Sequence, residues 1–282
     1  MGRVEDKIVA ITGAARGQGR SHAVRLAEEG ADIIAVDVCA DLDVTDYPLG
    51  TTDELAETAR LVEKAGRRVV VREVDVRDRK ALAEALASGV NELGRLDAVV
   101  ANAGILPMGP GRGINAFVDT VDTNLLGAIN TVHAALPHLG PGGSVIVTGS
   151  AAGLMPGHGD VGSAGSGFAA YKYAKRTLVD FVNTLAVQLG PTGRRINAIH
   201  PTNVDTEMLH NEPMYRALRP DLDEPTRSDV EQGVIGMHAL AVPHVPVGDV
   251  SHAVVYLTSD ESRYVTGMHL KIDAGSLVKS GL

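Results

Sequence analysis

Tryptophan is absent from the 282-residue chain, and its aromatics amount to six Tyr and three Phe. So thin a supply argues against the stacking platforms that hold single-stranded nucleic acids. Cationic side chains are short as well: 26 Lys and Arg against 35 Asp and Glu leave a formal charge of −9. That is the wrong sign for a phosphate-backbone surface. With a single cysteine, Cys39, the chain can build neither an intramolecular disulfide framework nor a cysteine-based zinc knuckle. A reducing, cytoplasmic setting is the simpler expectation. The opening residues Met1-Gly2-Arg3-Val4-Glu5-Asp6 carry charge and lead into a strand, unlike a secretory signal. Residues 123–159 lack Asp, Glu, Lys and Arg altogether. Pro137 and Gly140-Pro141-Gly142-Gly143 nevertheless cut that stretch into pieces short of the roughly 20 apolar residues a membrane-spanning helix needs.

What remains is the composition of a folded chain, 44% hydrophobic and 22% charged, with enough apolar side chain for a sizeable core. Seven short runs rich in β-branched residues read as strands: Lys7–Thr12, Asp32–Asp37, Arg68–Asp75, Leu96–Asn102, Ser144–Thr148, Arg195–His200 and His269–Asp273. Several are continuously apolar, as in strands buried on both faces of a parallel sheet. Helical patterns lie between them. Ser21–Glu29 ends at Gly30, Leu55, Ala59 and Val62 share a face behind a Thr52 or Asp53 cap, and Asp78 caps a helix carrying Leu82, Leu86, Val90 and Leu93. A long helix is predicted from about Ala170 to Leu189. Strand–helix alternation over this length predicts an α/β fold: one doubly wound, Rossmann-type domain over residues 1–282 with a seven-stranded parallel sheet.

Two segments interrupt the rhythm. Residues 39–51 (CADLDVTDYPLGT) lengthen the connection after the second strand and read, on their own residues, as a solvated excursion. Residues 203–247, rich in proline and lying beyond the carboxyl end of the sixth strand, read as a substrate lid before the last strand.

The first strand ends in Thr12-Gly13-Ala14-Ala15-Arg16-Gly17-Gln18-Gly19. Gly13 permits a tight turn, Gly17 lets backbone approach a phosphate, and Gly19 allows close helix–strand packing. The helix that follows would present free N–H groups and positive partial charge to a pyrophosphate. Asp37 ends the second strand, where a carboxylate can bind an adenosine ribose and repel a 2′-phosphate, which favours NAD over NADP. Arg16 beside the loop points the other way, and we weight Asp37 above it. Asp75-Val76 would either contact adenine or cap a helix; both readings stay open.

Tyr171 and Lys175 stand i, i+4 on the long helix and so share a face. A free phenol titrates near 10, too high for a base at neutral pH; a neighbouring ammonium and a cationic nicotinamide would both favour the phenolate. Ser150 stands at the carboxyl end of the fifth strand, Asn102-Ala103-Gly104 closes the fourth, and Asn124 follows on the next helix. A metal site is not expected: the ten His form no i, i+4 pair and no acidic ligand cluster accompanies them in sequence. A serine hydrolase is not expected either, because Gly149-Ser150-Ala151 lacks the G-x-S-x-G elbow.

From Lys7 to Gly275 the chain resembles the short-chain dehydrogenase/reductases, through Thr12–Gly19, Asn102-Ala103-Gly104, Asn124, Ser150 and Tyr171 with Lys175. The resemblance implies that Tyr171 is the general acid/base and that Lys175 binds the nicotinamide ribose and lowers the tyrosine pKa. It also implies that Ser150 orients the substrate oxygen and that Asn124 supports a proton relay. Two departures stand out. Ser150 and Tyr171 lie 21 residues apart, wider than is usual, so residues 157–167 look like an inserted loop and Ser163 and Ser166 rival Ser150. The usual Pro-Gly after the sixth strand reads His200-Pro201-Thr202-Asn203-Val204-Asp205-Thr206, so Pro201, the Val204 backbone and Thr206 are the candidates to hold the nicotinamide end.

The glycine loop with Arg16, the insert after Asp37 and His200-Pro201-Thr202-Asn203 are similar to a narrower group, the actinobacterial, mycofactocin-associated enzymes that include carveol dehydrogenase. That resemblance implies tightly held NAD reoxidised by a mycofactocin-type redox partner, with the insert covering the adenosine end, and a homotetramer. The expected activity is therefore the interconversion of a hydrophobic secondary alcohol, such as a cyclic terpenol, and its ketone. Met208, Leu209, Met214, Tyr215 and Leu218 would form the apolar wall, with Met155 and Pro156 opposite. The alternatives are an NADPH-dependent 3-oxoacyl or quinone reductase and a catalytically silent NAD-binding fold.

Overall fold

In the computed structural model, which describes residues 2–157 and 164–282, seven strands form one parallel sheet in the order β3-β2-β1-β4-β5-β6-β7. They are β1 (Ile8–Thr12), β2 (Asp32–Asp37), β3 (Val69–Glu73), β4 (Leu96–Ala101), β5 (Leu139–Thr148), β6 (Arg195–Pro201) and β7 (His269–Ile272). The helices are α1 (Gly17–Glu28), α2 (Thr52–Lys64), α3 (Arg79–Leu93), α4 (Ile114–Val121), α5 (Gly127–Ala135), α6 (Ala151–Leu154), α7 (Gly165–Leu189), α8 (Glu212–Leu218), α9 (Arg227–Val234), α10 (Val247–Thr258) and α11 (Ser276–Lys279). This is the doubly wound Rossmann-type arrangement that the strand–helix alternation predicts. The chain reverses its strand order between β1 and β4, which opens a crevice at their carboxyl ends.

Every residue of β1 and β2 is buried, as continuous apolar runs require. One core packs Ile34, Leu82, Leu86, Val145, Leu178 and Val182 on one face of the sheet. The other packs Ile11, Leu26, Ile33, Leu55, Ile146 and Val254 on the opposite face. β3 departs from the expectation: as the edge strand it is only partly covered, with Val71 exposed.

Local chemistry explains where elements begin. α2 is capped by Thr51, not by Thr52 or Asp53: the Thr51 side chain accepts from Glu54 N while the Glu54 carboxylate accepts from Thr51 N, a reciprocal capping box. Asp78 caps α3 as expected, accepting from Lys80 N and Ala81 N. α7 begins at Gly165, five residues before the sequence suggests. Glycines there read as a loop, yet close packing demands them: a Cβ on Gly165 would stand 1.9 Å from the Gly109 carbonyl oxygen, and one on Gly167 2.2 Å from that of Pro107. Along α7, Leu178, Val182 and Leu189 are buried and Phe181 and Leu185 pack against the same core. No described helix is long and apolar enough to cross a membrane.

Two histidines are buried as neutral rings. His22 in α1, fully inaccessible, bonds through Nδ1 to the Ser251 hydroxyl of α10 at 2.8 Å, and burial lowers its pKa from 6.5 to about 3. His200 at the end of β6 is lowered to about 4, also chiefly by burial. An unfolded chain would protonate both below about 6.5, so their contribution is present above that pH and is lost as the pH falls toward 4 and then 3. Well below 6.5 each contributes a slope of about 1.4 kcal/mol per pH unit. Thermal unfolding between pH 7 and 5 is expected to show a falling Tm, and His22→Asn, which can still bond Ser251, to flatten the fall.

Candidate active site

A cleft of about 920 Å³, counted to its open mouth, lies over the β1–β4 reversal. Gly13, Arg16, Gly17, Gln18 and Gly19 line it with Asp37, Asp75, Val76, Asn102, Ala103, Gly104 and Thr206. Twelve of the residues expected to hold a dinucleotide thus meet in one place.

The glycine loop has the geometry its spacing implies. Gly13 and Gly17 take φ of +71° and +53°, a region L side chains rarely enter. A Cβ on Gly19 would stand 1.9 Å from the Gly13 carbonyl oxygen. α1 starts at Gly17 with no side-chain cap from Arg16, so its first N–H groups are free to face an anion. Gln18 Oε1 is buried without a partner among the described residues, an orphan acceptor that suits a ligand's donor.

Arg16 has a different role from the one that would favour NADP. Its guanidinium donates to the Pro48 carbonyl and so ties the glycine loop to the 39–51 insert. The Asp37 carboxylate accepts from Ala15 N at 2.9 Å and Cys39 N at 3.3 Å while still lining the cleft. Asp75 does not cap a helix; it folds back on Arg77, accepting from its backbone N–H and guanidinium, both at 2.8 Å. The Asn102 side chain is a strut between strand ends, donating to the Thr12 carbonyl and accepting from the Thr148 hydroxyl. Pro201 and Val204 fall outside the cleft lining. Val204 is buried in the core and pairs with Val245, while Thr206 faces the loop, its methyl 3.4 Å from where a Gly17 Cβ would stand.

The insert is no solvated excursion. Leu42, Tyr47, Leu49 and Gly50 line the cleft, and Tyr47 and Leu49 pack with Ile105 and Met208. The Tyr47 hydroxyl accepts from Leu106 N at 2.9 Å. The insert therefore crosses along the cleft from β2 to the end of β4. Sequence reasoning missed these residues; the one available signal was apolar Leu42, Val44, Tyr47 and Leu49 within an acidic stretch. Cys39 packs instead against the core of Leu26, Ile33 and Leu55, its thiol pushed up to about 12 by burial and by Asp37 and Glu73, which disfavours the thiolate.

Tyr171 and Lys175 share one face of α7; like Ser150 and Asn124 they fall outside the cleft lining, and Tyr171 adjoins it through Met208, which lines the cleft and packs in the same cluster. Lys175 Nζ donates to the Thr148 carbonyl at 2.6 Å and lies 5.6 Å from the centre of the Tyr171 ring. Burial lowers the Lys175 pKa to about 8. Burial raises that of the Tyr171 phenol, and the nearby Ser150 hydroxyl only partly opposes it. The ammonium alone does not activate the phenol here. Ser150 caps α6, its hydroxyl accepting from Ala152 N at 3.2 Å. Its rival Ser166 donates to the Arg112 and Gly113 carbonyls and so holds a loop; Ser163 lies outside the described residues. Asn124 sits in a π-helical turn, Asp122–Leu126, a rare distortion common at functional sites. Its side chain is bound to Ile105, accepting from N and donating to O, both at 2.8 Å, so it fixes the β4 end and keeps one amide N–H and one lone pair beyond these bonds.

Beside the phenol lies an apolar cluster of Leu106, Met108, Leu209 and Met214, with Phe168, Tyr171, Met208 and Leu218 against it. Tyr215 is not part of this wall; its hydroxyl bonds to His210 Nδ1 at 3.0 Å. Met155 and Pro156 are held to α7 through carbonyls that accept from Arg176 and Lys172. The lid also gathers what sequence spacing could not show, Asp205, His210 and His244 with ligating atoms within 4.8 Å of one another. Arg227 already donates to Asp205 at 3.0 Å and Glu231 at 2.7 Å, while His210 bonds the same Asp205 oxygen at 2.7 Å. A guanidinium between both carboxylates makes this a polar pin across the lid, not a cation site.

A family model described as enoyl-(acyl carrier protein) reductase matches residues 13–276. The chain is 48% identical to a putative short-chain type dehydrogenase/reductase of Mycolicibacterium smegmatis, over 99% of both chains. It is 44% identical to (−)-trans-carveol dehydrogenase of Rhodococcus erythropolis, over 99% of this chain and 100% of that one. The crystal structure of carveol dehydrogenase from Mycobacterium avium in complex with NAD superposes with a TM-score of 0.93 at 47% identity, covering 99% of this chain and 100% of that one. Together with the cleft, these matches show that the chain belongs to the short-chain dehydrogenase/reductase family.

Proposed function

We propose that the chain interconverts a hydrophobic secondary alcohol and its ketone with NAD held in the cleft. The observation that carries this reading is the meeting of Tyr171, Lys175 and Ser150 beside a glycine-lined cleft. The backbone of residues 17–19 would hold the pyrophosphate, Asp37 the adenosine ribose, Asp75 and Val76 the adenine, and Thr206 the nicotinamide end. When bound, oxidised NAD supplies a hydride acceptor and a cationic ring near the phenol. Tyr171 takes the substrate's hydroxyl proton, Lys175 holds the nicotinamide ribose, and Ser150 orients the substrate oxygen. Asn124 fixes the β4 end and supports the proton relay.

The apolar cluster over Tyr171 favours a neutral, hydrophobic alcohol, and the relatives named for carveol make a cyclic terpenol the first substrate to try. Purified protein assayed against alcohols with a dye acceptor, with and without added NAD, tests this. The competing reading, an NADPH-dependent 3-oxoacyl or quinone reductase, turns on Asp37. Asp37→Asn keeps the turn's acceptor and removes the charge, and it should shift selectivity toward NADP by about a hundredfold. An unchanged preference would mean Asp37 does not face the ribose.

The roof made by Tyr47 and Leu49, tied down through Arg16, supports a cofactor that stays bound and is reoxidised by a mycofactocin-type redox partner. Exposed Ile114, Val118 and Tyr173 on α4 and α7 support assembly through those helices, as in the expected homotetramer. We read residues 1–282 as one cytoplasmic dinucleotide-binding domain with a lid at 203–247.

A further inference from the structure

His200 is fully buried at the end of β6, against the backbone of the tripeptide that ends in Ser150. Its ring fills the place of a side chain at Gly149, where a Cβ would stand 2.5 Å from ring atoms. His200 Nδ1 lies 3.2 Å from Ser150 N and 3.1 Å from the Ser150 carbonyl oxygen. On the other side, His200 Nε2 lies 2.9 Å from His269 Nδ1, and His269 Nε2 lies 2.9 Å from Asn183 Oδ1 on α7. Two proton placements satisfy the whole chain. Where the Asn183 carbonyl accepts, His269 carries its proton on Nε2, His200 does the same, and His200 Nδ1 accepts from Ser150 N–H. Where the Asn183 amide is turned over and donates, both rings carry the proton on Nδ1 and His200 Nδ1 donates to the Ser150 carbonyl. A ring this buried stays neutral across the physiological range, its burial reinforced by the nearby His269 and Lys175. The ring therefore meets the Ser150 backbone as an uncharged hydrogen-bond partner in either placement.

We propose that His200 is a positioning residue for the reaction: through its hydrogen bond to the Ser150 backbone it fixes the serine hydroxyl relative to Tyr171, with His269 and Asn183 setting its tautomer. The inference rests on the reading of Ser150 as the residue that orients the substrate oxygen. It needs no contact between His200 and substrate.

The test is a double-mutant cycle with carveol and NAD as probes. His200→Leu keeps the volume, removes the ring's hydrogen bond to the Ser150 backbone, and should lower kcat on the order of tenfold with the KM for NAD unchanged. His200→Asn places an amide, able to accept or donate, where Nδ1 stood and should restore kcat to within about threefold of wild type. In a Ser150→Ala background His200→Leu should cost less than about twofold more, because coupled residues are not additive. Should His200→Leu fail to fold, His269→Leu, which removes the group that sets the tautomer, carries the same comparison. An impaired Ser150→Ala enzyme in which the histidine substitution still costs its full factor overturns the inference alone, as does His200→Asn no better than His200→Leu. A Ser150→Ala enzyme with wild-type kcat overturns the reading of Ser150 and the inference with it.

Discussion

Tyr171→Phe is expected to lower alcohol oxidation by about 10²–10⁴-fold, the range general acid–base groups supply, while cofactor binding and thermal stability stay near wild type. The phenol is the one hydroxyl that the long helix brings beside Lys175 and the Ser150 side chain. Phenylalanine keeps the ring in its apolar cluster with Leu106 and Leu209 and deletes only the proton acceptor. Because burial keeps the free phenol protonated, wild-type activity should rise with pH only when the cofactor is bound. Steady-state rates of the variant against dye acceptor, with bound nucleotide measured in parallel, check this. Turnover near the wild-type rate would remove Tyr171 from the mechanism.

The second large effect is expected at Gly19. Alanine there must place its Cβ within 1.9 Å of the Gly13 carbonyl oxygen and 3.0 Å of Ala14 Cα. Both atoms are backbone, so the start of α1 has to move away from β1. Such overpacking costs about 3 kcal/mol, which corresponds to a Tm lower by roughly 5 °C in a chain of this size. The displaced loop should bind NAD at least about tenfold more weakly, since the N–H groups no longer converge on a phosphate. Gly140→Ala, at an exposed position with nothing within 4 Å of the new Cβ, is the matched control and should change neither property. Calorimetry and cofactor titration of the two variants separate the outcomes.

The parts of this molecule readable from sequence are those whose signal is local. The glycine loop, Asp37 and Tyr171 with Lys175 declare themselves by spacing of a few residues on one element. The continuous apolar runs give the inner strands their burial, and β3 and β7, each lacking a neighbour on one side, depart. What sequence hides is long-range. Tyr47 meets Leu106 across 59 residues of chain, and no periodicity within the insert foretells that meeting. Arg16 looks like a phosphate ligand until Pro48 is seen beside it. Glycines at 165 and 167 read as loop because their purpose is to let Pro107 and Gly109 approach a helix. His200 offers no sequence motif at all; its role depends on Gly149, His269 and Asn183 arriving from three other elements.

The central claim is that hydride passes from an alcohol carbon to a dinucleotide in this cleft. Its most direct test uses carveol carrying deuterium at the carbinol carbon, mixed with enzyme holding oxidised NAD. The expected result is reduced nicotinamide that carries the deuterium, formed with a primary isotope effect. Reduced nicotinamide without the label, or no reduction with any secondary alcohol, would contradict the account.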